Sequence, residues 1–317
     1  MARVAGIDCG TNSIRLLVAD VDEAGRLTDL DRRMEVVRLG QGVDRTGRIA
    51  PEALERTLDA ARRYAAICAD LGAERIRFVA TSATRDAENR ADFVAGVRDA
   101  LGVEPEVVAG AEEAALSFRG ATSVLAGKHP GPFLVVDIGG GSTELALGTT
   151  SVVAAHSMDV GCVRLTERHL HSDPPTAEEI AAASADVTAA LDAAARDVPF
   201  GRAATLVGLA GSVTTVTAHV LDLDVYDPHA IDGAVLPADD VLASARALLT
   251  MSRARRERLP YMHPGRVDVI GAGALVWSDI VSRVRAEVGR AGGRLRTVVV
   301  SEHDILDGIA LSAADRA

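Results

Sequence analysis

The hydrophobic pattern of the chain switches repeatedly between period two and period 3.6. Residues 3–39 carry three successive short apolar runs and predict three strands, with a turn near Gly25. The loop "RLGQGVDRTGRIA" leads into a helix that starts near Pro51, a favourable first-turn position, and ends near Gly72. That helix puts Leu54, Leu58, Ala61, Ala65 and Cys68 on one stripe. "RIRFVATSATR" predicts a strand and loop, followed by a helix with Phe93, Val94, Val97 and Leu101 inward. "EVVAG" is a short strand, and "AEEAALSFRGATSVL" a helix that joins two halves. Further on, Thr176 and Glu179 form the capping box of a long helix. "TLVGLAGSVTTVTAHV" predicts a strand entering a glycine turn and a helix, and "RTVVVSEHDILDGIAL" a closing strand and a helix capped by Ser301. Strands alternating with helices in both halves predict an α/β protein with mainly parallel or mixed sheets.

One apolar run ends unusually, in "VVDIGGGSTELAL", residues 135–147. A Walker loop would place Lys after its last glycine, and a dinucleotide loop would place glycine where Glu144 stands. Both would then open a helix, whereas Leu145 and Leu147 recur at period two and predict a strand. The element is therefore a hairpin whose turn amides can converge on an anion without a helix dipole.

The same pattern occurs at the N-terminus in "VAGIDCGTNSIRLLVAD". Setting Asp8 on Asp137 also puts Gly10 on Gly139, Ser13 on Ser142 and Leu16 on Leu145. A duplicated hairpin predicts two similar half-molecules facing each other across a cleft, with a phosphorylated ligand between the turns. The copies differ where function should differ: Arg15 corresponds to Glu144. One turn offers a guanidinium for phosphate oxygens. The other offers a second carboxylate beside Asp137, and an acidic pair tolerates phosphate only with a cation between. Hard oxygen ligands next to phosphate suit Mg²⁺ or another divalent cation.

Composition narrows the function. The chain has 317 residues, 48% hydrophobic and only 3% aromatic, enough for two aliphatic cores. The net charge of −11 opposes general nucleic-acid or membrane binding and requires local cations for a polyanionic substrate. No apolar run reaches a membrane span, and the start lacks a charged region followed by an apolar one. Three scattered cysteines give no disulfide frame, so a cytoplasmic enzyme is expected. Cys9 has no basic neighbour and reads as a buried small residue. The eight histidines show no metal spacing, and His169 and His171 are expected to face solvent.

Both hairpins, together with "LGQGVDRTGRI", "ATSATRDAENR", "GAEEA", "VGCVRLTERHL", "GLAGSVTTVTA", "GRVDVIGAGALV" and "VSEHDILDGI", resemble the exopolyphosphatase and guanosine pentaphosphate phosphohydrolase (Ppx/GppA) family, in the actin-like ATPase superfamily. The resemblance implies two actin-like (ribonuclease H-like) domains with the active site in the cleft between them. Residues 1–124 and 125–301 would be those domains, with a closing helix at 302–317 packing back on the first. It implies a homodimer that uses Mg²⁺ to release terminal orthophosphate from inorganic polyphosphate. Carried over by position, the general base falls on Glu113, and phosphate binding on Gly10, Thr11, Asn12, Ser13, Arg15 and Arg85. Amide contacts fall on Gly139, Gly140, Gly141, Ser142 and Thr143, and metal or water contacts on Asp137 and Glu144, with Asp8 a further metal candidate. Cys162 and Arg266 match positions along the polyphosphate path. The chain departs from the pattern where it ends at Ala317 without the helical domains of longer members, so short polyphosphates are the expected substrate. It also has Leu306 where an arginine usually precedes Gly308.

Three alternatives remain open on the sequence. The same site serves pppGpp, which also presents a terminal phosphoanhydride. An actin-like ATPase or sugar kinase would use "GLAGSVTTVTA" near a nucleotide, although no inserted segment offers an acceptor pocket. A polyphosphate- or nucleotide-binding regulator would need a decayed site, against which stand Asp8, Glu113, Asp137 and Glu144.

Overall fold

The computed structural model describes residues 2–315, so positions 316–317 of the expected closing helix lie outside it. The chain forms two compact units, one running to Ser123 and resuming at Asp304, the other spanning Val124–His303.

The first unit is built on β1 (Ala2–Cys9), β2 (Ser13–Val21), β3 (Leu27–Val36), β4 (Arg75–Ala80) and β5 (Glu106–Val107), in the order β3-β2-β1-β4-β5. The first three strands are antiparallel, whereas β4 and β5 continue parallel to β1. The helices are α1 (Val43–Thr46), α2 (Pro51–Asp70), α3 (Ser82–Asp86), α4 (Arg90–Leu101), α5 (Gly110–Leu125) and α13 (Ile305–Asp315). Both faces of the sheet are covered, which is why β1 reads as a nearly continuous apolar run. Ile7, Ile14, Leu16 and Phe78 pack on the face shared with Tyr64, Phe93 and Val97. Val4, Leu17 and Val21 pack against Leu306, Ala310 and Leu311 of α13 on the other.

Two local expectations need correction. The buried stripe of α2 is Ala53, Thr57, Ala60, Ala61, Tyr64 and Cys68, with Leu54 and Leu58 at its margin. Small residues let this face approach the sheet closely, and the Tyr64 hydroxyl donates to the Ile14 carbonyl at 3.1 Å. The closing helix is capped by Asp304, not Ser301: Asp304 Oδ1 accepts from the Leu306 amide, and Asp307 Oδ2 accepts from the Asp304 amide. This is a reciprocal cap of the capping-box kind. Ser301 instead donates to Asp232 and accepts from the His303 amide.

The second unit repeats the plan. Its strands are β6 (Phe133–Ile138), β7 (Thr143–Gly148), β8 (Val152–Met158), β9 (Thr205–Leu209), β10 (Val235–Pro237) and β11 (Thr297–Val300), ordered β10-β11-β9-β6-β7-β8. The series β8-β7-β6-β9-β11 matches β3-β2-β1-β4-β5 in order and direction, and β10 adds an antiparallel edge. The duplication read from the hairpins therefore extends to the whole sheets. The helices are α6 (Cys162–His169), α7 (Ala177–Asp197), α8 (Ala210–Val220), α9 (Pro228–Ile231), α10 (Ala238–Thr250), α11 (Arg253–Arg256) and α12 (Ile270–Arg290). The expected capping box of α7 forms between Thr176 and Glu179. No helix among the described residues is long and apolar enough to cross a membrane.

Candidate active site

Each glycine turn is aimed by its carbonyls. In the first, the Gly10 amide donates to Ser13 O at 3.0 Å and closes the bend. Asn12 O then accepts from the amides of Val37 and Arg38, and Thr11 O from the amide of Gly40. A trans peptide points its N–H opposite to its C=O. The strap at 37–40 thus turns the Asn12 and Ser13 amides away from itself. The close fit requires Gly40, where a Cβ would meet Thr11 Cγ2 at 2.3 Å. Arg38 is held with φ 52, a left-handed conformation rare outside glycine.

The second turn uses the start of α6 in place of the strap. The Gly139 amide again donates to the fourth residue, Ser142 O, at 3.0 Å. Gly139 O accepts from the Cys162 amide, Gly140 O from the amides of Val163 and Arg164, and Gly141 O from Arg164 Nε. Three successive carbonyls face α6, so the amides of Gly140, Gly141 and Ser142 face the other way, as in an anion nest. Gly161 permits this approach, since a Cβ there would lie 2.5 Å from Gly140 O. The Thr143 hydroxyl is buried and donates to Val160 O at 2.7 Å, bracing the turn from behind.

The divergent position defines the electrostatics. Asp8 pairs in register with Arg15 across β1–β2, and Asp137 with Glu144 across β6–β7. Cross-strand partners share a face. Arg15 donates to Asp8 Oδ2 from Nε and Nη2, at 3.0 and 2.7 Å, and from Nη1 to Asp304. Burial pushes the Asp8 carboxyl up, against the pull of Arg15. Asp137 and Glu144 are both buried, and Glu144 Oε1 accepts from the Ser157 hydroxyl at 2.7 Å. Among the described residues no cluster of three or more His, Cys, Asp or Glu could hold a metal. Two adjacent carboxylates are nevertheless a suitable donor set for Mg²⁺, which keeps several waters and shares phosphate oxygens. Asp8 has the Arg15 guanidinium where Asp137 has a carboxylate.

Glu113 stands in the first turn of α5 and is buried, with Oε2 accepting from Arg85 Nη1 at 3.0 Å. Arg85 Nη1 also donates to Val108 O at 2.9 Å. The parallel pairing of β4 and β5 brings the following α3 and α5 together, and with them this acid and this cation. The hydroxyl oxygens of Thr11, in the first turn, and Thr84, on α3, are buried with no hydrogen-bond partner. Such orphaned donors are rare, and an oxyanion would satisfy them. Thr84, adjacent to Arg85, was not selected from the sequence.

Cys162 and Arg266 meet at the start of α8. The Cys162 thiol is buried beside Ser212, and burial raises it above the usual thiol range. The Arg266 guanidinium lies over Gly211, whose Cβ would fall 2.4 Å from Arg266 Cζ. Its Nη1 donates to Thr215 Oγ1 at 3.2 Å, and it faces the Tyr226 ring at 5.8 Å. Ala210 enters the helix at φ 66, a left-handed conformation that costs energy in a non-glycine residue. Among the histidines, His169 is only half-exposed, with Nε2 2.7 Å from Asp186 Oδ2, whereas His171 is exposed.

The profile of the Ppx/GppA phosphatase family matches residues 17–302. The chain is 51% identical over 322 aligned positions to exopolyphosphatase 2 of Mycobacterium tuberculosis, covering 99% of each protein. Among solved structures it resembles an exopolyphosphatase-like protein at 48% identity and TM-score 0.95, covering 99% of both chains. It also resembles the Aquifex aeolicus Ppx/GppA family member at 28% identity and TM-score 0.81, covering 99% of this chain and 98% of that one. With two α/β units of repeated sheet order and a family profile running nearly end to end, the chain belongs to the Ppx/GppA phosphatase family.

Proposed function

We propose that the protein is an exopolyphosphatase, a phosphoanhydride hydrolase that releases terminal orthophosphate from inorganic polyphosphate. The observation that carries this reading is that each of the two glycine turns has its carbonyls pinned within its own unit, which leaves consecutive amides free for an anion. Hydrolysis of a phosphoanhydride needs a positioned water, neutralised oxygens and an in-line leaving group. Glu113 takes the proton of the attacking water, and Arg85 both orients that carboxylate and adds positive charge beside it. The amides of Asn12, Ser13, Gly140, Gly141 and Ser142 receive phosphate oxygens, as does the Thr11 hydroxyl. Arg15 supplies charge that its two carboxylate partners hold in place. Asp137 and Glu144 would hold Mg²⁺, which when bound neutralises phosphate oxygens. Cys162 and Arg266 border the path of the remaining chain. The leaving polyphosphate is already a stable anion, so no strong general acid is required.

A cytoplasmic location is part of the same proposal, supported by three cysteines that are all buried and unpaired, and so is the homodimer that the family resemblance implies. The test is orthophosphate release with Mg²⁺ from tripolyphosphate, longer polyphosphates, pppGpp and ATP. Turnover of polyphosphates well above the others supports the proposal. Preference for pppGpp would make it a nucleotide phosphohydrolase instead, and ATP turnover alone would make it an ATPase.

A further inference from the structure

We propose that Arg77 is the positioning residue for Glu113 and that it acts through Glu112. Arg77 lies on β4 with its side chain only 4% exposed. Its Nη2 donates to Glu112 Oε1 at 2.6 Å and to Glu106 Oε2 at 2.8 Å. Its Nε reaches Glu106 Oε2 at 3.2 Å, and Nη1 donates to the Ser312 hydroxyl at 2.6 Å. One guanidinium thus ties β4 to β5, to the first turn of α5 and to α13. Only a planar fork serves this many acceptors at once, which lysine cannot do.

The first turn of α5 is where such a tie matters. The amides of Glu112 and Glu113 both reach back to a single carbonyl, Ala109 O, at 3.0 Å. Helix ends have few backbone bonds and fray. Successive helical residues point about 100° apart. Fixing Glu112 on Arg77 therefore fixes the rotation of the turn, and with it the direction in which Glu113 leaves the helix. Arg85 holds Glu113 on its own side, so two arginines from different elements grip adjacent acids of one turn. Burying a guanidinium on β4 costs desolvation that an aliphatic residue would avoid, so packing alone does not call for arginine here. The sequence offers Glu112 only as a solvated acid at a helix start; the structure gives it a task.

The inference rests on the reading of Glu113 as the base, and the experiment separates the two. Steady-state polyphosphate hydrolysis at saturating Mg²⁺ is measured for Arg77→Met, Glu112→Ala, Glu112→Gln, the Arg77→Met/Glu112→Ala double variant and Glu113→Gln. Loosening a reacting group by a fraction of an ångström to one ångström costs up to about 100-fold. Arg77→Met and Glu112→Ala should each lower kcat about 10- to 100-fold with KM within about twofold. The double variant should fall no further than the worse single one, as expected of one coupled unit. Glu112→Gln keeps an acceptor for Arg77 and should recover most of the loss. Glu112 is half-exposed, so its alanine variant folds and the test survives even if Arg77→Met does not. Wild-type kcat in Glu112→Ala, with Glu113→Gln inactive, overturns the positioning role and leaves the base intact. Wild-type kcat in Glu113→Gln overturns both.

Discussion

Asp137 and Glu144 face each other across adjacent strands, at the register where Asp8 faces Arg15 in the other unit. Like charges directly opposite destabilise a sheet, and both of these are buried. Glu144→Gln should therefore raise the melting temperature in EDTA, by the equivalent of about 0.5–1 kcal/mol. The same variant should need roughly 10-fold or more additional Mg²⁺ for half-maximal turnover. Paired melting curves and Mg²⁺ titrations check this. Unchanged Mg²⁺ dependence would remove Glu144 from the proposed metal site.

Arg15 balances two buried carboxylates, Asp8 and Asp304, and is itself a fifth exposed. Removing one partner of a buried pair strands the others. Arg15→Met should cost about 3 kcal/mol at neutral pH, the low end of such losses because the guanidinium is partly solvated. The loss should shrink in acid as Asp8, whose carboxyl burial pushes up, takes its proton. Urea denaturation at pH 7 and near pH 4 measures the difference.

Helices α5 and α13 cross with their backbones in contact. A Cβ on Gly308 would sit 2.0 Å from Leu116 O, and one on Gly120 only 1.8 Å from Asp304 O. Gly308→Ala gains up to about 1 kcal/mol in helix propensity. Overpacking against a backbone carbonyl should outweigh that gain and leave a net loss of about 1–2 kcal/mol. Equal or higher stability of this variant would show that the crossing is looser than described.

Asp279 on α12 is partly buried and accepts from the Ser184 hydroxyl at 2.8 Å. Burial pushes its carboxyl up. A raised folded value means that the native state holds the proton more tightly than the unfolded chain. Stability is thus lost as pH rises from the ordinary carboxylate value, about 4, through the raised one. Asp279→Asn keeps the acceptor for Ser184 and removes the charge. It should be more stable than wild type at pH 7 and indistinguishable below about pH 4. A gain that is the same at both pH values would contradict the assignment.

What could be read from the sequence follows from the range of the interactions involved. The two hairpins are local, since Asp, glycine turn, Ser and flanking apolar strands lie within about a dozen residues. The register of Asp8 on Asp137 and the contrast of Arg15 with Glu144 were visible for that reason. The α7 capping box was legible through the same kind of short-range chemistry. By contrast, α12 gave little periodic signal: Ile270 to Trp277 is buried on every side, so no polar stripe marks its faces. The partners of the site were hidden as well. Arg85 meets Glu113 through parallel strand pairing, and Arg15 meets Asp304 from 289 residues away. Ser301 looked like a cap because serine commonly is one, but the chain needs three more residues to turn before the helix begins.

Turnover by Glu113→Ala is the most direct test of the account. With Mg²⁺ and saturating polyphosphate, phosphate release should fall by roughly two to four orders of magnitude, while the fold is kept and polyphosphate binding stays close to wild type. Release at near wild-type rates from that variant would contradict the assignment of the base, and with it the hydrolytic mechanism built on it.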